Sequence, residues 1–156
     1  MKRFLLSLLT LILLLSACSP AQPPETPGFA PGLVEQLLGC GAFSEPIDPL
    51  ESDIVWGLYR LAAAGLDREE MTGAIAYRSS GATCEELSLL TFVDEKAAQT
   101  AVTALEEYLA DQITANRDYR PAEVPKLEQA RVLCRGNTTL FLVASDYIPA
   151  LVLLDP

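Results

Sequence analysis

The first eighteen residues decide how much of this chain is available to fold. Lys2 and Arg3 precede an apolar run from Phe4 to Leu15, and Leu15-Ser16-Ala17-Cys18 ends it. A basic start, an apolar run of this length and small residues before a cut site make a secretory signal peptide. The run is too short to span a bilayer, which takes roughly 20 apolar residues. A cysteine directly after the small residues makes it a lipoprotein signal: the Cys18 thiol takes a diacylglycerol and becomes the first residue of the mature chain. Acyl chains bury at about 0.8 kcal/mol per CH₂, and two of them anchor stably where one is marginal. The lipid machinery is bacterial. The expected location is the outer face of the cytoplasmic membrane, with the bilayer as partner through the N-terminal diacylglycerol.

Removing residues 1–17 leaves 139 residues, enough for one domain with a real core. The excised part holds two of the 11 basic residues and none of the 21 acidic ones, so the mature chain carries −12. That balance argues against nucleic acid as a partner and against direct docking on anionic lipid. The chain has no histidine. Ser-His-Asp and Cys-His catalysis, His-ligated zinc and a histidine pH switch are therefore excluded. Besides Cys18 there are Cys40, Cys84 and Cys134, with no C-x-x-C pair. At most one intramolecular disulfide is expected among them. Cys84 falls at a turn and is expected to be the more exposed thiol, Cys134 the buried one.

Residues 18–31 hold Pro20, Pro23, Pro24, Pro27 and Pro31. Such a segment reads as a semi-extended tether, with the domain spanning 32–156. Leu33, Val34, Leu37 and Leu38 then have helical spacing, stopped by Gly39 and Gly41. A second helix is predicted from Pro49 to Ala63, with Asp48 as N-cap and Leu50, Ile54, Leu58 and Leu61 as its buried stripe. Trp56 and Tyr59 flank that stripe at the core edge. Thr72–Ser79 and Glu86–Val93 read as a β-hairpin. Asp94 caps a long amphipathic helix whose inner face runs through Ala98, Ala101, Leu105, Tyr108 and Ile113. A loop, 117–126, leads from it to a second hairpin, Gln129–Arg135 and Thr138–Ser145, turned by Gly136-Asn137. That turn pairs Arg135 with Thr138 and Val132 with Phe141. The expected fold is α+β: a four-stranded, mainly antiparallel sheet from two hairpins joined by a long helix, with two N-terminal helices. The apolar tail from Asp146 is expected to pack on the domain.

The chain also resembles a known family. Ser80-Gly81-Ala82-Thr83-x-Glu85-Glu86-Leu87 and Asp118-Tyr119-x-Pro121-x-Glu123-Val124-Pro125-Lys126-Leu127-Glu128 carry the resemblance, supported by Gly136-Asn137. They are similar to an uncharacterised family of small Gram-positive bacterial lipoproteins, domain of unknown function 4358, over roughly residues 42–146. The resemblance implies a secreted, lipid-anchored α+β domain and supplies no activity. Cys84 departs from the family pattern, as does the apolar tail where relatives continue into an amphipathic helix.

No catalytic residue, metal site or cofactor is assigned. The acidic pairs Glu69-Glu70, Glu85-Glu86, Asp94-Glu95 and Glu106-Glu107 fall at element starts or on a solvated helix face, where negative charge near a helix N-terminus is favourable in itself. Two surfaces are candidates for partner contact. One is the locally basic loop with Arg117, Tyr119, Arg120 and Lys126. The other is the strand face shared by Leu133, Leu140 and Leu142, which three helices need not cover. The leading expectation is a binding or interaction module that contacts an envelope protein or a wall polymer. The alternative is a carboxylate-dependent, wall-directed enzyme, which would show two carboxyl groups about 5–10 Å apart in one pocket. In the cell, Cys18→Ala should leave the protein in the medium or as an unprocessed precursor. Membrane fractionation checks this, and mature variant retained at wild-type level overturns the anchor.

Overall fold

The computed structural model describes residues 26–81 and 83–154. The signal peptide, Cys18 and the tether up to residue 25 lie outside the described residues. Among the described residues, five α-helices and one five-stranded antiparallel sheet form three layers. In chain order these are α1 (Gly32–Gly39), β1 (Asp48–Leu50), α2 (Ser52–Leu58), β2 (Met71–Arg78), β3 (Glu86–Phe92), α3 (Glu95–Tyr119), α4 (Val124–Glu128), β4 (Arg131–Arg135), β5 (Thr138–Val143) and α5 (Ile148–Leu154). The strand order is β1-β2-β3-β5-β4.

The sheet has one strand more than the sequence predicts, and the extra strand comes from the predicted second helix. Asp48, Pro49 and Leu50 pair with Arg78, Tyr77 and Ala76 of β2 instead of starting a helix turn. Pro49 is tolerated because β1 is an edge strand. Helix α2 starts only after the extended residue Glu51 and stops at Leu58, where Arg60 turns the chain with φ +51°. The later start shifts the buried stripe. Val55 and Tyr59, one turn apart, are fully buried together with Leu61, while Ile54 is 55% exposed.

The two hairpins form as expected. Met71 pairs with Phe92 and Arg78 with Glu86, and the register opens by one residue between Met71 and Gly73. Arg135 pairs with Thr138 and Val132 with Phe141. Asp94 caps α3 by accepting the Ala97 amide at 2.8 Å. Ala98, Ala101, Leu105 and Tyr108 are buried along the inner face of that helix. Its side of the sheet holds the larger core, with Phe92, Phe141 and Val143.

The other sheet face is also covered. Leu140 and Leu142 are fully buried and Leu133 is half-buried, in a second core with Val34 and Leu37 of α1 and Ala150 and Leu154 of α5. The exposed leucine face expected from the sequence is therefore absent. The tail packs on the domain as expected, as helix α5, and that helix with α1 supplies the cover. Cys40, Cys84 and Cys134 are all free thiols. Their exposure reverses the expectation: Cys84 is buried and Cys134 half-buried. The turn carrying Cys84 folds inward, where the Cys84 amide donates to Glu123 Oε2 at 2.9 Å.

The packed chain begins before Gly32. Phe29 is 6% exposed in the second core, its amide donates to Thr138 Oγ1 at 2.8 Å, and the Arg135 guanidinium lies 4.4 Å from its ring centroid. The strap from Thr26 to Pro31 crosses the β4–β5 turn where only glycine fits. Gly136 has φ +52°, and a Cβ there would come within 2.1 Å of the Thr26 carbonyl oxygen. Residues 26–31, read from the sequence as tether, are part of the domain. Phe29→Ala should lower stability by about 2–4 kcal/mol, as large-to-small changes in a core do. Denaturant unfolding checks this, and an unchanged midpoint would show that the strap is not packed.

Candidate functional site

β3 is the central strand and is covered on both faces, so its first residues enter the interior. Glu85 is fully buried and Glu86 is 2% exposed. Adjacent residues of an extended chain face opposite ways, so the two carboxylates serve different layers. A buried carboxylate needs hydrogen bonds or a counter-charge, and each glutamate has its own set.

Glu86 points into the larger core. Tyr59 Oη donates to its Oε1 at 2.6 Å and Tyr108 Oη to its Oε2 at 2.9 Å. Arg78 Nε lies 3.4 Å from Oε2. Burial pushes the Glu86 pKa up, and the Tyr59 hydroxyl, Arg78 and the Tyr108 hydroxyl oppose that shift. Both phenols are pushed up by burial and then by the Glu86 charge. Tyr59, Tyr108 and Phe141 meet edge to face, with centroids 5.1–6.1 Å apart. Ser88, fully buried one step along the same face, lies beside Tyr59 without a well-formed hydrogen bond from its hydroxyl.

Glu85 points toward the α1 side. It accepts from the Ser44 amide at 2.9 Å, from Ser44 Oγ at 2.5 Å and from Lys126 Nζ at 3.2 Å. Lys126 also pairs with Glu123 at 3.2 Å. Burial alone would lower the Lys126 pKa, but the bonds to Glu123 and Glu85 outweigh it and the net shift is upward. Arg120 Nη1 donates to the Thr83 carbonyl at 3.2 Å, and its Nε to Asn116 Oδ1 at 2.8 Å. The two sequence segments that carry the family resemblance therefore grip each other: Thr83, Cys84 and Glu85 meet Arg120, Glu123 and Lys126.

This geometry revises the basic loop expected from the sequence. Residues 117–126 are no free loop. They comprise the end of α3, a 3-10 turn at Pro121–Glu123 and the start of α4. Lys126 and Arg120 point into the clasp, and Leu140 and Leu142 lie in the core. Of the candidate contact residues in this segment, Arg117 and Tyr119 face solvent, Tyr119 at 81% exposure. The acidic pair Glu85-Glu86 is interior and not the exposed element start that its sequence position suggests. The apolar run Leu87–Phe92 carried the signal. A strand covered on both faces buries its first residues on both faces too.

Next to the clasp lies an open groove of about 520 Å³, lined by Leu38, Phe43, Glu45, Pro46, Ile47 and Tyr77 among others. Glu45 is its carboxylate. Hydroxyl hydrogen bonds from Ser79 and Thr83 hold the Glu45 pKa below the usual carboxylate value. The turn between β2 and β3 wraps this group: a Cβ on Gly81 would meet both carboxylate oxygens at 3.7 Å. The arrangement fixes one ionised carboxylate at the wall of an apolar groove. Among the described residues no group of three Cys, Asp or Glu side chains is placed to hold a metal.

The profile of a family described as Domain of unknown function (DUF4358) matches residues 63–144. That is more than half of the chain, and the chain belongs to this family. The match runs from the turn after α2 to the end of β5, so it contains the long helix, four of the five strands and both sides of the clasp. No curated protein and no solved structure matches the chain.

Glu86 gives a pH dependence with a defined sign. Its folded pKa is raised, so its contribution to stability is complete below the unfolded value of about 4.3 and is lost as pH rises through the folded value. The melting-temperature difference between wild type and Glu86→Gln should shrink from acid to neutral pH. Growth of that difference with pH overturns the assignment. Glu86→Leu leaves two buried phenols without an acceptor and should cost on the order of 2–4 kcal/mol at every pH.

Proposed function

We propose that this chain is a lipid-anchored module on the outer face of the cytoplasmic membrane that binds an envelope protein or a wall polymer. The observation that carries the reading is the groove between α1 and β2. It offers Leu38, Phe43, Pro46, Ile47 and Tyr77 to a partner, beside one ionised carboxylate held in place. Apolar walls with a few placed polar groups are what a binding site presents. A carboxylate-dependent hydrolase needs two carboxyl groups across one cleft. Here Glu85 and Glu86 face opposite layers and are buried, and Glu45 is the carboxylate among the groove residues. The family match supports a shared domain without naming an activity.

The experiment is photo-crosslinking in living cells. A photoreactive residue in place of Ile47 should trap a discrete partner that the same residue at Thr103, exposed on the far side of α3, does not. Equal products at both positions, or none at Ile47, overturn the groove as the contact surface. Cleavage of wall glycan by the purified protein, abolished by Glu45→Gln, would replace binding with the enzyme reading.

A further inference from the structure

Helix α5 is apolar on every side. Its residues Ile148, Pro149, Ala150, Leu151, Val152, Leu153 and Leu154 include no charge. Ala150 and Leu154 face the second core. Ile148 and Val152, one turn apart on the outer side, are 75% and 68% exposed. A helix that is apolar all round normally has cover on all sides, and nothing within the described residues covers this stripe.

Two cations stand on the sheet face that α5 covers. Arg131 and Arg135 lie four residues apart on β4, an even spacing, and so share a sheet face. The Arg131 guanidinium is 5.5 Å from the ring centroid of Tyr147, the residue before α5, and Arg135 is 4.4 Å from that of Phe29 in the strap. Among the described residues neither arginine forms an ion pair with a carboxylate, in a chain with 21 acidic residues. Asp146, whose Oδ1 accepts the Ile148 amide, and Glu35, exposed on α1, are acids on the elements of this layer.

The chain length outside the structure says what lies against this side. The strap, α1 and α5 all pack on this face of the sheet. Thr26 stands eight residues along the chain from Cys18. Extended, that stretch reaches about 25 Å. An anchor on Cys18 therefore holds this face close to the headgroups. We infer that the outer stripe of α5 seats on the bilayer. Ile148 and Val152 enter the acyl boundary, and Arg131 and Arg135 meet lipid phosphates. The acidic remainder of the domain stays in water. This inference rests on the anchoring of Cys18.

The test uses the mature lipidated protein in vesicles of phosphatidylcholine, with and without phosphatidylglycerol, each containing brominated lipid that quenches indole fluorescence. The single native tryptophan, Trp56, lies in the opposite helical layer and is the built-in control. In a Trp56→Phe background, Val152→Trp or Ile148→Trp should be quenched several-fold more than Trp56 is in the wild type. Phosphatidylglycerol should deepen that quenching, and Arg131→Gln with Arg135→Gln should remove the increment. Vesicle-bound protein whose introduced indole is no more quenched than Trp56 overturns the inference and leaves the anchor intact. An unquenched stripe in a dimer that Val152→Asp dissociates would assign the face to a second copy of the chain. Protein that does not co-sediment with vesicles at all means that the anchor itself has failed.

Discussion

Covering β3 on both faces forces Glu85 and Glu86 into the interior, and much of the polar architecture follows from that constraint. A carboxylate taken out of water without partners is too costly to keep ionised. Each glutamate must therefore recruit donors from the layer that it faces. Glu86 draws the hydroxyls of Tyr59, just after α2, and of Tyr108 in α3, with Arg78 from its own hairpin. Glu85 draws Ser44 from the segment before β1 and Lys126 from α4. Two neighbouring residues thus tie together elements far apart in the chain.

The clasp also gives physical content to the family's two sequence segments. The turn before β3 and the proline-broken segment after α3 carry opposite charges that meet in one place. Glu123 accepts the Cys84 amide, Arg120 donates to the Thr83 carbonyl, and Lys126 lies between Glu85 and Glu123. Removing one partner of a buried pair leaves an uncompensated charge, which costs more than the pair itself is worth. The same cluster braces the turn that holds Glu45 at the groove wall. In this way a structural network positions Glu45, the carboxylate of the groove.

The strap and the groove mark opposite ends of the sheet. The strap crosses the β4–β5 turn beside Phe92, where the Asn137 amide donates to the Phe92 carbonyl at 2.8 Å. The groove and clasp lie where Arg78 pairs with Glu86, at the other end of the same hairpin. With about 3.3 Å per residue along β3, those ends stand roughly 20 Å apart. In the proposed anchored state the chain enters the domain at the strap end while α5 lies along the bilayer, and the groove opens at the far end of the sheet. Undocking the strap would release that orientation, so Phe29, Gly28 and Gly136 define how the domain is presented as well as how it is capped.

Local rules were enough for much of this protein. The helix from Asp94, both hairpins and the pairing of Val132 with Phe141 follow from periodicity, capping and turn chemistry, which act over a few residues and leave their mark in the sequence. Tertiary structure decided the rest, through contacts between distant residues. Asp48–Leu50 became a strand because the edge of β2 was open to pair, and that outweighed the helix signal at Pro49. Leu140 and Leu142 were covered because the charge-free helix α5 had a core to pack on. Cys84 was drawn in by Glu123, from a segment 39 residues later. A charge pair reads as surface from sequence because charges usually are. Whether Glu85 and Glu86 are buried depends on how many faces of β3 are covered, and only the assembled layers determine that number.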